Sequence, residues 1–168
     1  GESLDQGDQE SAGLLIATLI SQSFWVGRPL TEIDDLARAL VPQIRSQALP
    51  NRLCQAMQQL CLNLMGRSAD PFLLAGESGY DERDVLPAAR LEGDEVALGA
   101  AATIKQGLHF WCGDHAGAAA ATPDAIEHLG GLAGTVSTQL VYLVGALSMM
   151  RYAPRDASTV RLVRKALA

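Results

Sequence analysis

The sequence predicts an all-α fold in which antiparallel helical hairpins stack as a solenoid. Three observations predict it. Apolar residues recur at helical spacing in one segment after another, and no strand-like alternation of any length competes. The segments start near residues 11, 31, 50, 95, 116, 136 and 156. Outside a central break each helix therefore takes roughly 20 residues and each pair roughly 40, the kind of spacing that repeat architectures show. Glycine or proline closes most of the segments, which leaves short links and antiparallel neighbours.

Residues 1–10 hold Glu2, Asp5, Asp8 and Glu10 and no base, and read as an acidic, partly flexible leader. Residues 11–168 read as a single helical-repeat domain. Ser11 to Val26 is apolar nearly all round and stops at Gly27 with Pro29 beyond, so a buried helix is expected. Thr31 opens the second helix, with Glu32, Asp34 and Asp35 in its first turn, where the helix dipole favours acids. Its apolar stripe is Ile33, Leu36, Ala37, Leu40, Val41 and Ile44, and Pro42 should kink it. Pro50 suits the first turn of a third helix, which carries Leu53, Met57, Leu60 and Leu64 to a stop at Gly66.

Residues 67–94 break the rhythm. Asp70-Pro71, Gly76, Gly79, Pro87 and Gly93 leave room for two short helices at most, and Phe72-Leu73-Leu74 should tuck this irregular insertion onto the core. Regular helices then return. Ala97, Ala101, Ile104, Leu108 and Trp111 share one stripe, Gly113-Asp114 is a tight turn, and Ala116 to Leu129 is a small-residue helix that Pro123 could break. Val136, Leu140, Leu143, Leu147 and Met150 recur at alternating steps of four and three, a packing seam. Pro154 should end that helix, and Asp156 or Ser158 should start the last.

Composition excludes several classes of function. Of the 168 residues 48% are hydrophobic and 19% charged, which argues against disorder. Aromatics are 5% and the net charge is −6, so neither a stacking platform nor a basic footprint for nucleic acid is present. The apolar runs Gly13 to Gly27 and Val136 to Met150 fall short of the roughly 20 residues that span a bilayer. Three cysteines without metal-like spacing fit a reducing cytoplasm. The chain opens Gly1-Glu2-Ser3 and closes on an unfinished helical pattern, as a segment of a longer protein would. Its ends are oppositely charged: Arg151, Arg155, Arg161, Arg164 and Lys165 face only Asp156.

No motif for catalysis emerges. Gly76-Glu77-Ser78-Gly79-Tyr80 has the wrong spacing for a nucleophile elbow and no strand before it, and no phosphate-cradling Gly-Lys-Ser/Thr loop occurs. His109, Cys112 and His115 stand three apart and could begin a zinc site with Asp114 as fourth ligand, but Gly113 should end the helix between them. The blander expectation puts His109 partly exposed, Cys112 in the core and His115 at the start of the next helix. Cys54 and Cys61 share one helix face about 10.5 Å apart, too far for a disulfide, and read as small core residues. The acids Glu77, Asp81, Glu82, Asp84, Glu92, Asp94 and Glu95 are expected to be solvated or to dock a partner.

Three stretches carry a family resemblance: Gln58 to Asp81, QQLCLNLMGRSADPFLLAGESGYD; Lys105 to Ala118, KQGLHFWCGDHAGA; and Val141 to Met150, VYLVGALSMM. In this order and spacing they resemble the helical region that follows the AAA/STAND ATPase in large multidomain signalling proteins. Those proteins combine a serine/threonine-kinase-like domain, the ATPase, a tetratricopeptide-like helical region, and GAF and sensor histidine kinase domains. The resemblance spans roughly residues 50–153. Matching positions are Asn63, Leu64, Gly66, Pro71, Leu74, Gly76, Glu77 and Asp81, continued by Lys105, Leu108, Phe110, Gly113, Asp114, Ala118, Tyr142 and Leu147. It implies packing and turn roles for these residues, no catalytic residue and no cofactor.

The implied fold is tetratricopeptide-like. Gly113, Asp114, Ala118 and Ala125 suit such a turn and its small second-helix positions. Gln106 and His109 depart from the pattern, and the insertion removes the usual period. The implied function is a non-catalytic interaction and regulatory module that couples nucleotide or ligand state to output domains. Its expected partners are the neighbouring ATPase and output domains, or a peptide; a homodimer is compatible with it. Grooves of this type are lined by the first helix of each hairpin, which makes Lys105, His109 and Gln139 the groove candidates. Two alternatives stand beside this reading: a stand-alone helical adaptor or secretion chaperone, and a small all-α metal enzyme using His109, Cys112 and His115.

Overall fold

The computed structural model describes residues 2–152 and 157–166, with the backbone alone at 2–10, 158, 159, 162 and 166. Among these residues the fold is all-helical: α1 (Glu2–Trp25), α2 (Leu30–Leu40), α3 (Ala48–Leu64), α4 (Glu82–Glu92), α5 (Glu95–Trp111), α6 (His115–Glu127), α7 (Ser137–Tyr152) and α8 (Ala157–Ala166). Two 3-10 turns, Val41–Ile44 and Leu129–Leu132, and one isolated antiparallel bridge between Ala75 and Asp81 complete it. The chain divides into two compact units, Gly1–Asp81 and Glu82–Ala168, where the sequence had suggested one domain from residue 11 onward.

The expected helix stops hold for a clear reason. Gly27, Gly66 and Gly113 adopt φ of 78°, 72° and 78°. That left-handed turn lets the next amide reach back to a carbonyl of the last helical turn, as Arg28 does to Ser23, Arg67 to Leu62 and Asp114 to His109. Pro42 acts as expected too: α2 tightens into a 3-10 turn at Val41–Ile44, with the proline near its start. Pro154 and Asp156, the expected boundary before α8, lie outside the described residues.

In the first unit α1 and α2 both pack on α3. Ile20, Ile33, Ile44, Leu60 and Leu62 are fully buried, joined by Cys54 and Cys61, which are core residues as expected. Burial pushes both thiols up to about 12. Two expectations for α1 need correction. The helix extends back to Glu2 and takes in the acidic leader. It is also not buried all round: Gly13, Ala17, Ile20 and Ser23 face inward, while Leu14, Leu15 and Leu19 are exposed. An apolar composition sets no direction; only the neighbours α2 and α3 decide which stripe is covered. The irregular insertion holds one short helix, α4, within the two at most that its sequence left room for.

In the second unit α5 is central and packs on α4, α6, α7 and the 129–132 turn. Ala97, Ala101, Ile104 and Leu108 are buried along the expected stripe, but Trp111 at its end is exposed. α6 is continuous through Pro123, whose ring faces solvent. The inner face of α7 is Val141, Val144, Gly145 and Ser148, and the expected seam of Val136, Leu143, Leu147 and Met150 is exposed. Leu140 of that seam is half-buried. Small residues let α7 approach α5 and α6 closely, so the bulky stripe is left on the far side. Glycine does the same for the 129–132 turn: a Cβ on Gly131 would strike the Glu95 carbonyl, and one on Gly99 would lie 2.5 Å from the His128 oxygen.

Candidate functional site

Polar side chains gather in two places, one in each unit. In the first unit Asp34 is buried on α2, one turn before Arg38 and across from α3. Its carboxylate accepts from Gln58 Nε2 at 2.7 Å, Arg67 Nη1 at 2.9 Å and Arg38 Nε at 3.1 Å. Both arginines also reach Glu77 Oε2, at 2.7 Å from Arg67 and 3.1 Å from Arg38. Burial pushes the Asp34 carboxyl up, but the Gln58 hydrogen bond and the Arg38 and Arg67 charges outweigh it and hold the group below its ordinary range. Arg38 is raised in return, chiefly by its bond to Asp34.

Next to this network, α3 pins the loop that follows it. Asn63 Nδ2 donates to the carbonyls of Pro71 (3.0 Å) and Leu73 (2.8 Å), and Gln59 Nε2 donates to Asn63 Oδ1 at 2.7 Å. The Ser78 hydroxyl donates to Gln59 Oε1 at 2.8 Å. Gly76, at φ 152°, passes close over the Gln59 amide, where a Cβ would lie 3.1 Å from its nitrogen. Asn63, Gly66, Pro71, Gly76 and Glu77 thus lie along one loop, whose backbone Asn63 holds at the Pro71 and Leu73 carbonyls, while Glu77 clasps the two arginines. The Ser78 hydroxyl is buried and turned onto Gln59.

In the second unit a small cleft of about 170 Å³ is lined by Leu86, Leu98 and Ala101 together with Glu82, Lys105 and His128. Lys105 Nζ lies 2.6 Å from Glu82 Oε1, so its charge is met within the unit. His128 Nδ1 lies 2.9 Å from Glu95 Oε2. Ligand pockets usually run from about 300 to 1,000 Å³. The cleft lies below that range.

The three groove candidates do not converge. Lys105 lines the cleft. His109 turns to the end of α5, with Nδ1 2.9 Å from Asp114 Oδ2. Gln139 is exposed on α7, with its amide end against the carbonyls of Thr135 and Val136, which its nitrogen reaches once the amide is turned over. Asp114 caps α6 by accepting from Gly117 N at 2.9 Å, and that bond, with His109, holds its carboxyl below the ordinary range. Ala118 is buried behind it.

Cys112 is exposed, not core, because α5 ends at Trp111 and the chain turns outward at Gly113. His115 opens α6 as expected, with its ring edge against Phe110. No group of three or more His, Cys, Asp or Glu side chains with metal-holding geometry occurs among the described residues. Sequence reasoning missed the buried Asp34 and Gln106. Gln106 Nε2 donates to Thr122 Oγ1 at 2.9 Å and to the Val141 carbonyl at 3.1 Å, and so ties α5 to α6 and α7. The signal for Asp34 was an acid placed one residue beyond Ile33 on the inward stripe, which was read as a dipole partner alone.

Fold and site together define a helical chain whose described polar clusters mostly bond to the protein itself and whose bulky apolar residues stand partly outside. No helix among the described residues is long and apolar enough to cross a membrane. Comparison with protein-family models, curated proteins and solved structures finds no match.

Proposed function

We propose that the chain is a non-catalytic interaction and regulatory module of a multidomain cytoplasmic signalling ATPase or kinase. In this reading its hairpins stack in a tetratricopeptide-like manner, and it couples nucleotide or ligand state to output domains. The observation that carries the reading is the uncharged apolar helix surface left exposed in both units, on α1 and on α7. The acids and bases of the polar clusters meanwhile bond to one another: Asp34 and Glu77 to the arginines, Glu82 to Lys105, Asp114 to His109. Exposed apolar patches of this kind mark contact surfaces. The resemblance of residues 50–153 to the region behind the ATPase of such proteins supplies the context.

The test uses the ATPase and output domains of the parent chain, purified and mixed with this segment. Co-elution and a changed nucleotide affinity of the ATPase are expected. Separate elution with unchanged affinity overturns the reading.

A further inference from the structure

The exposed apolar face of α7 has the spacing of a helix-pairing seam. Val136, Leu140, Leu143, Leu147 and Met150 follow steps of four and three, the 3.5-residue period at which one helix keeps a single line against another. Val136, Leu143, Leu147 and Met150 are 42 to 50% exposed. No charged residue interrupts the stripe, and the charges next to it are basic: Arg151 at the end of α7, and Arg161, Arg164 and Lys165 on α8, which packs against α7. Lys165 Nζ sits 4.6 Å over the Tyr142 ring, so the base is held beside the helix.

α1 carries the complement. Leu14, Leu15 and Leu19 are 47 to 68% exposed, Val26 beyond the helix end continues the stripe, and Thr18 and Gln22 between them are uncharged. The residues before it in the same helix are Glu2, Asp5, Asp8 and Glu10, with no base. From Leu14 to Val26 is roughly 18 Å and from Val136 to Met150 roughly 21 Å at the helical rise, so the two stripes match in length. The acids precede one stripe and the bases follow the other. An antiparallel pairing of the two helices therefore sets apolar against apolar and acid against base at once.

We propose that the α1 face of one copy of this chain docks on the α7 face of a second copy. The contact is heterologous: two different surfaces meet, so two copies either close on each other through both contacts or leave one face of each for a further copy. A symmetric α7 to α7 contact would match apolar surface equally well, but it would leave the bases without acids and the α1 stripe uncovered. The self-pairing deepens the interaction-module reading by naming one partner. Its failure is separable, because a monomeric chain that still alters the ATPase sinks only the pairing, and an assembling chain without that effect sinks only the coupling.

Sedimentation of the whole chain from about 1 to about 100 µM tests it. The wild type is expected to self-associate as its concentration rises, and high salt to weaken that association. Leu15→Glu/Leu19→Glu and Leu143→Glu/Leu147→Glu each remove one face and should each weaken self-association at least about 100-fold. An equimolar mixture of the two variants should form a dimer and stop there, since one intact α1 face meets one intact α7 face. Circular dichroism checks helicity; if either glutamate pair lowers it, glutamine at the same positions serves in the same scheme. A wild type monomeric at the top concentration overturns the proposal. So does either variant dimerising alone, or a mixture that stays monomeric.

Discussion

The two units bury the polar groups of their interiors by different chemistry. The first holds a carboxylate, Asp34, whose side chain is 5% exposed, and surrounds it with Gln58, Arg38 and Arg67. The second holds a neutral amide, Gln106, and satisfies it with a hydroxyl and a backbone carbonyl. The first unit has to fasten an irregular loop, and a charge with several donors can gather arginines from α2 and from beyond α3. The second has only to bring helices together. It does so with alanine and glycine at the contacts, and one amide suffices to fix their register. The first unit thus adds a charged network to the neutral amides of Asn63 and Gln59 that hold its loop backbone, while the second relies on small residues and one amide.

The contrast can be broken most forcefully through the two cores. Leu60 in α3 and Leu108 in α5 are both fully buried, and truncating either to alanine should cost about 2–5 kcal/mol. Hydrogen exchange should show Leu60→Ala loosening amides before residue 82 and Leu108→Ala those after it. Equal loosening on both sides for either variant would mean that the chain opens as one cooperative unit. Gly131→Ala should come next, at about 1–3 kcal/mol, because the new methyl meets backbone that cannot swing away. Its effect should be confined to the second unit and can be read from a urea melt of the Trp111 region.

Asp34→Ala sharpens the contrast in charge. It leaves the Gln58 amide without its acceptor and should cost about 2 kcal/mol, a figure already discounted for half-exposed arginines. The wild-type contribution depends on pH. The carboxyl is held below its ordinary value of 3.8, so its stabilisation is complete above that value and is lost as pH falls through the depressed one. Urea melts between pH about 6 and about 3 should show the first unit losing stability and Asp34→Asn flattening that loss. Gln106 does not titrate and adds nothing to such a slope. The smallest expected effect is at the start of α5, where Asp94 caps the Ala97 amide at 3.0 Å. Asp94→Ala should cost about 1 kcal/mol by chemical denaturation, localised to the second unit.

Helix identity and helix ends were legible because they depend on neighbours in sequence. Gly27, Gly66 and Gly113 stop helices wherever the chain places them, Pro42 tightens its turn, and Cys54 and Cys61 follow the inward stripe of α3. Orientation was less legible. The steps of Val136 to Met150 announced a packing seam, yet α7 turned its smaller face inward and left that seam exposed. The apolar run of α1 suggested burial on all sides, yet within the first unit α2 and α3 cover one stripe of it and Leu14, Leu15 and Leu19 stay exposed. Of the candidate residues, Lys105 reached a cleft, while His109 and Gln139 turned to separate helix ends. No local pattern separates such fates, because each depends on which surface arrives opposite.

Residue order alone settled that the described chain is helical and where most of its helices stop. These rest on backbone propensity and on turns completed within a few residues. Packing in three dimensions decided that Asp34 and Gln106 go inside, that Glu77 clasps two arginines, and that leucines of α1 and α7 stay out. Burial is a competition among faces for a limited interior, and its outcome depends on distant parts of the chain.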